Sequence, residues 1–285
     1  MYRIQIDDSH WQTTLPHIIE PLSEEWLPGL LLRCGQVNGW LSGTVIRMLL
    51  RKGGNRGIPN QIDMTVPSTI NLVDLAKLLA STEEQIIATT YERELARLYH
   101  SANPLGMFLA RKRRFHICPR CLQEFGTILR SAQWTALDVC PLHKIALQAR
   151  CSCGRLLRPF GVRANPFTCD ACSQAWMTLP SPMFPFDDSK NRLLEWYTFL
   201  LDNGTPEHLV SIQMEVLRRW ETHPTSPYKP SRLAISAFLA NHHRTIEYLC
   251  KFAVQVGMSV NDLPNVTHEV SGDVSVKDGK GEFQR

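Results

Sequence analysis

The chain has no apolar run approaching the roughly 18 residues that a bilayer-crossing helix needs, so nothing in it reads as a membrane span. It has no GxxxxGK[ST] loop, so any ATP is handled by another protein. No acidic triad for phosphoryl transfer is visible. Cys34 and Cys250 each stand alone in an apolar helical stretch and read as small core residues rather than nucleophiles. The opening Met1-Tyr2-Arg3-Ile4-Gln5-Ile6-Asp7-Asp8 lacks the basic region and apolar stretch of a secretory signal. The absences point to a cytoplasmic protein whose cysteines stay reduced. With 285 residues and an apolar fraction of 44%, the chain has material for about two domains with real cores.

What is present is a dense set of metal-ligand residues. Seven of the nine cysteines join one histidine in four short pairs: Cys118 with Cys121, Cys140 with His143, Cys151 with Cys153, and Cys169 with Cys172. Between the halves of the successive quartets lie 18 residues (122–139) and 15 residues (154–168). The spacing suits two structural Zn2+ ions, each with four protein ligands and no position left for a substrate. Sequential quartets are self-contained, a cross-braced pairing is the alternative, and His116 is near enough to substitute as a ligand. The one-residue spacer of Cys151-x-Cys153 is tighter than the usual two. Trp134 is expected to pack over the metal site.

Charge is concentrated in the same region. Residues 111–180 hold eleven Lys/Arg against three Asp/Glu, while the whole chain is only +4. Seven thiolates and two dications would leave this region at about +5, still its most basic part. Arg111, Lys112, Arg113 and Arg114, together with Arg47, Arg51, Lys52 and Arg56, are the candidate contacts to DNA or RNA phosphates. The competing reading is a solvated charge run.

The chain divides into a helical, helix-turn-helix-like domain (1–110), a double zinc-finger region (111–180), a C-terminal helical domain (181–263) and a disordered tail (264–285). Residues 1–22 read as an irregular arm. A helix is expected from Ser23 to about Val37, ended by Asn38-Gly39, with Pro28-Gly29 distorting its first turn. Another is expected over 42–51, followed by a Gly-rich loop at 53–60. Asn71-x-x-Asp74 and the capping box Ser81-x-x-Glu84 open a pair of helices joined by a short turn. In the C-terminal part, Leu193, Trp196, Tyr197, Leu200 and Leu201 share one face, as do Leu209, Ile212, Val216, Leu217 and Trp220 after Thr205-Pro206-Glu207. A pair over 231–241 and 245–256 follows, with Gly257 as its cap. The fold class expected is mainly α, with small zinc-ribbon-like β elements.

The order His116-Ile117-Cys118-Pro119-Arg120-Cys121-Leu122, Trp134, Val139-Cys140-Pro141-Leu142-His143 and Cys151-x-Cys153-Gly154 resembles the TniQ/TnsD family of transposition target-selection proteins. Glu25, Leu27, Leu31, Arg33 and Asn38-Gly39 fit the family's N-terminal pattern, while Trp26, Gly29 and Leu30 stand where it shows Ser, Ser and Trp. The resemblance covers about residues 20–180 and implies a bacterial adaptor, on the TniQ side, that carries out no chemistry itself. It would link a target-bound complex, an RNA-guided CRISPR effector or another target-site recognition factor, to a AAA+ ATPase of the TnsC type. The alternative is a TnsD-like protein that reads one DNA sequence directly through a recognition helix. Residues 82–90 carry no Lys or Arg and 245–256 only Lys251, which argues against that alternative. Whether the chain pairs as a homodimer stays open.

Overall fold

The computed structural model describes residues 15–44, 72–99, 115–134, 137–161, 164–183, 187–222 and 245–263. Eight α-helices run through them: α1 (Leu27–Val37), α2 (Leu72–Leu79), α3 (Glu83–Ala88), α4 (Glu92–Tyr99), α5 (Pro119–Phe125), α6 (Asp188–Asn203), α7 (Pro206–Thr222) and α8 (Thr245–Gln255). Among the described residues, β structure is limited to single antiparallel bridges, five of the six within 117–183. The fold is mainly α, with short β elements around the cysteines.

α1 begins four residues later than the sequence suggests. Glu25 bridges to Leu129, so its backbone is extended. Pro28 falls within the first helical turn, where its missing N–H is not needed. Gly29 is there for contact: a Cβ at this position would sit 2.7 Å from Thr127 Oγ1 and 3.0 Å from Ile128 N. The Pro28-Gly29 pair thus lets the helix lie directly on the 127–128 backbone, and Trp26 N donates to Ile128 O across 2.8 Å. Leu27, Leu30, Leu31, Leu32 and Cys34 are all fully buried, as in a helix surrounded by protein. Asn38 ends the helix as expected, and its side-chain amide holds Cys34 O at 2.9 Å and His17 O at 3.0 Å.

The capping box of α3 is one residue beyond the expected one. Thr82, not Ser81, accepts from Gln85 N, and Gln85 Oε1 accepts from Thr82 N. α4 has no counterpart in the sequence reading. The later helices match their periodicities: Trp196, Tyr197, Leu200 and Leu201 of α6 are buried, as are Ile212, Val216 and Leu217 of α7. Thr205 Oγ1 caps α7 by accepting from His208 N, and Gly257, at φ +71°, follows the end of α8. The expected helices over 42–51 and 231–241, the Gly-rich loop and the tail lie largely or wholly outside the described residues.

Two large cores do not follow chain order. One joins α1, α2 and α3 to Leu157, Phe167, Trp176 and the cysteines 151 and 169. The other joins Tyr91, Leu95, Leu98 and Trp134 to α6, α7 and α8. A small third cluster packs Leu129, Ala132, Ile145 and Leu147 around Cys118, Cys121 and Cys140. The cysteine-rich segment therefore touches apolar layers on both sides.

Candidate metal centres

Three of the four ligand pairs sit in hairpin-like turns and the fourth at the start of a helix. Val139 bridges Ala146, and Cys140 N donates to Ile145 O, so Cys140 and His143 face inward from one tight turn. Their partners come from the start of α5, where Cys118 is the residue before the helix and Cys121 lies in its first turn. Thr168 bridges Ala175 in the same manner, and Cys169 N donates to Gln174 O. The Cys151-x-Cys153 turn is one residue shorter. Cys151 N donates to Arg155 O, four residues on, where the other two turns close on the fifth residue. The tight spacer therefore has a tighter hairpin to match.

Sequential pairing is what the fold builds. Cys118, Cys121, Cys140 and His143 form one group and Cys151, Cys153, Cys169 and Cys172 the other, with the ligand atoms of each group within 4.8 Å of one another. His116 belongs to neither; its backbone N–H and C=O meet the Gln133 side chain.

The distances fit a metal. Tetrahedral ligands at Zn–S near 2.3 Å and Zn–N near 2.0–2.1 Å stand about 3.6–3.8 Å apart. His143 Nδ1 lies 3.4, 3.3 and 3.6 Å from the sulfurs of Cys118, Cys121 and Cys140. Cys121 and Cys140 are 3.6 Å apart, Cys151 and Cys172 3.4 Å, and Cys153 and Cys169 3.7 Å. Without a cation such thiols cannot ionise together. Hydrogen bonds from Cys118 and Cys121 hold Cys140 down to about 2, and bonding to Cys118 and Cys140, with burial, pushes Cys121 far up. A dication removes that conflict, and both groups can hold a metal ion.

One residue the sequence reading missed completes the first group. Glu124 Oε2 lies 2.8 Å from His143 Nε2, which fixes the ring so that Nδ1 faces the sulfurs. The imidazole pKa is raised: burial opposes the charge, but hydrogen bonds to Glu124 and Cys140 outweigh it. Glu124 lies six residues after Cys118, a helical position with no ligand signature of its own. The groups differ in cover, for Cys153 and Cys172 are exposed while the three cysteines of the first group are buried.

Trp134 corrects an expectation. It stacks on Tyr197 of α6, ring centroids 5.7 Å apart, and belongs to the second core rather than to the packing around the metal ligands. Cys34 and Cys250 are buried core residues, and burial pushes the Cys34 thiol up to about 12. The basic residues Arg47, Arg51, Lys52, Arg56, Arg111, Lys112, Arg113 and Arg114 lie outside the described residues. No helix among the described residues is long and apolar enough to cross a membrane.

A second unanticipated feature ties the N-terminal segment to this region. Arg130, which opens the short 3-10 turn Arg130–Gln133, bonds Glu94 Oε1 at 2.5 Å, Thr90 O at 2.7 Å and Glu24 Oε1 at 3.0 Å. Its guanidinium lies over the Tyr91 ring, and the Tyr91 hydroxyl donates to Arg130 O.

In a comparison with known families, the TniQ model matches residues 16–147. That span contains α1 through the whole first metal group and stops short of Cys151. A comparison with curated proteins finds no match.

Proposed function

We propose that this chain, whose residues 16–147 match the TniQ family model, is a transposition target-selection adaptor that joins a target-bound complex to a AAA+ ATPase of the TnsC type. The observation that carries this reading is the family match, which spans the α1 scaffold and the first metal group together. TniQ is a family of transposition target selection. The target-bound side is an RNA-guided CRISPR effector or another site-recognition factor, and the chain works in the bacterial cytoplasm.

The physics of the fold supports such a role. Cys118, Cys121, Cys140 and His143 hold one Zn2+, and Cys151, Cys153, Cys169 and Cys172 a second. Both ions are structural, since four protein ligands close each shell. They cross-link short backbone-bonded turns that lie between the helical layers. Surfaces held at fixed spacing let weak contacts to two partners act together, because the first raises the effective concentration of the second. No bond is made or broken by the chain. The basic residues at 47–56 and 111–114 add salt-dependent contacts to DNA or guide RNA. The alternative is a TnsD-like reader of one DNA sequence.

The test is a reconstituted pull-down with the zinc-loaded full chain, a AAA+ ATPase of the TnsC type and an RNA-guided effector complex. The adaptor reading expects both to be retained and the chain alone to show little preference among DNA sequences. Recovery of neither partner, or tight selection of one DNA site by the chain alone, would overturn it.

A further inference from the structure

A cleft of about 680 Å3 opens where the N-terminal segment, α4, the first metal group and α6 meet. Three of its apolar side chains still face water: Leu22 is 41% exposed, Phe125 45% and Leu142 57%. Leu194 and the buried Trp134 complete the apolar lining. Leu142 stands between the ligands Cys140 and His143, and the Phe125 ring lies 6.3 Å from the His143 ring. The metal group thus sets the shape of this wall.

The charged lining is one-sided. Glu24, Glu94 and Asp202 face a single guanidinium, that of Arg130. Arg130 is already engaged with Glu94, Glu24 and Thr90 O. Asp202 is exposed in the last turn of α6, and Glu94 Oε2 has no hydrogen-bond partner. An excess of carboxylate beside exposed leucine and phenylalanine repels phosphate and attracts a cation with an apolar neighbour.

We propose that this cleft is a docking site for a short segment of a partner protein in which a Lys or Arg stands next to a large apolar side chain. The apolar residue enters between Leu22, Phe125 and Leu142, and the cation meets Asp202 and Glu24 at the rim. Binding is then anchored by burial and oriented by charge. The proposal deepens the adaptor reading and rests on it for the assumption that the occupant is a protein.

The experiment selects random short peptides, displayed on phage, against the zinc-loaded full chain, and titrates the enriched ones by fluorescence. The expected peptides pair Lys or Arg with Leu, Phe or Trp. Leu142→Asp and Asp202→Lys should each weaken them by about tenfold or more, and a Lys→Glu change in the peptide should restore binding to Asp202→Lys. Both positions are exposed, and a cation at the end of α6 suits the helix dipole, so circular dichroism should show both variants folded. The proposal is overturned if no peptide is enriched, if enriched peptides lack a basic residue, or if neither substitution weakens them. It is also overturned if light scattering shows that Leu142→Asp splits a dimer, since the face then belongs to a second copy of the chain. Peptide binding that persists while the ATPase and effector pull-down fails would sink the adaptor reading and leave the cleft standing. The reverse pattern would sink the cleft alone.

Discussion

Arg33 grips Glu25 through both Nε and Nη2, each 2.7 Å from a carboxylate oxygen, and the carboxylate it holds is fully buried. The Thr127 hydroxyl and Leu22 N also donate to that carboxylate, so the pair pins the start of α1 to the segment that leads into the metal-binding turns. Removing one partner of a buried ion pair leaves the other charge without compensation. Arg33→Ala should therefore lower the unfolding free energy by about 3–5 kcal/mol, measured by urea denaturation of the zinc-loaded chain. A loss below about 1 kcal/mol, the range of a surface pair, would show that the pair is not structural.

Glu124 should matter to metal retention without being a ligand. A carboxylate that orients a ligating imidazole is worth about 10–100-fold in metal affinity. Glu124→Ala is expected to weaken zinc at one site by that factor in a competition titration with a chromogenic chelator, and to leave the other site unchanged. Equal weakening of both sites, or of neither, would contradict the role assigned to the 2.8 Å contact with His143.

Gly29 is fixed by contact rather than by backbone angle. A Cβ there meets Thr127 Oγ1 at 2.7 Å and the Ile128 backbone at 3.0 Å and 3.1 Å, and backbone cannot swing aside as a long side chain can. Gly29→Ala, ordinarily favourable in a helix, should instead destabilise by about 1–3 kcal/mol. An unchanged or raised melting temperature would mean that α1 does not lie this close to residues 127–128.

The metal ligands were the most legible part of the sequence, because residue type and spacing alone specify a tetrahedral set. The local hairpins supplied what spacing left open: Cys151 closes on Arg155 where Cys140 closes on Ile145, which accounts for the short spacer. Long amphipathic helices such as α6 and α7 were equally readable. α4 was not, because Glu92, Arg93 and Glu94 hide its short apolar face of Leu95 and Leu98. Ser23-Glu24-Glu25 looks like a helix opening, but Glu25 is drawn into pairing with Leu129 and Arg33, so α1 starts later. The stacking partner of Trp134, Tyr197, is distant in the chain and leaves no local pattern. Glu124 was invisible for the same reason.

The second metal group should be the weaker of the two. Cys153 and Cys172 are exposed, and the backbone N–H of Arg155 draws Cys153 down to about 7, so solvent and competing ligands reach this thiolate readily. Stepwise addition of EDTA followed by native mass spectrometry should show a one-zinc species in which Cys153 and Cys172 alkylate first. Simultaneous loss of both ions, or first alkylation at Cys118 or Cys140, would reverse the order.

The central claim is that two closed metal groups hold this chain in shape and take no part in chemistry. Native mass spectrometry of the freshly purified full chain, paired with circular dichroism before and after complete chelation, tests it directly. The account predicts two zinc ions per chain, a loss of cooperative thermal unfolding when both are removed, and its recovery when zinc is restored. A chain that carries no zinc, or that keeps the same cooperative transition without it, would contradict the account.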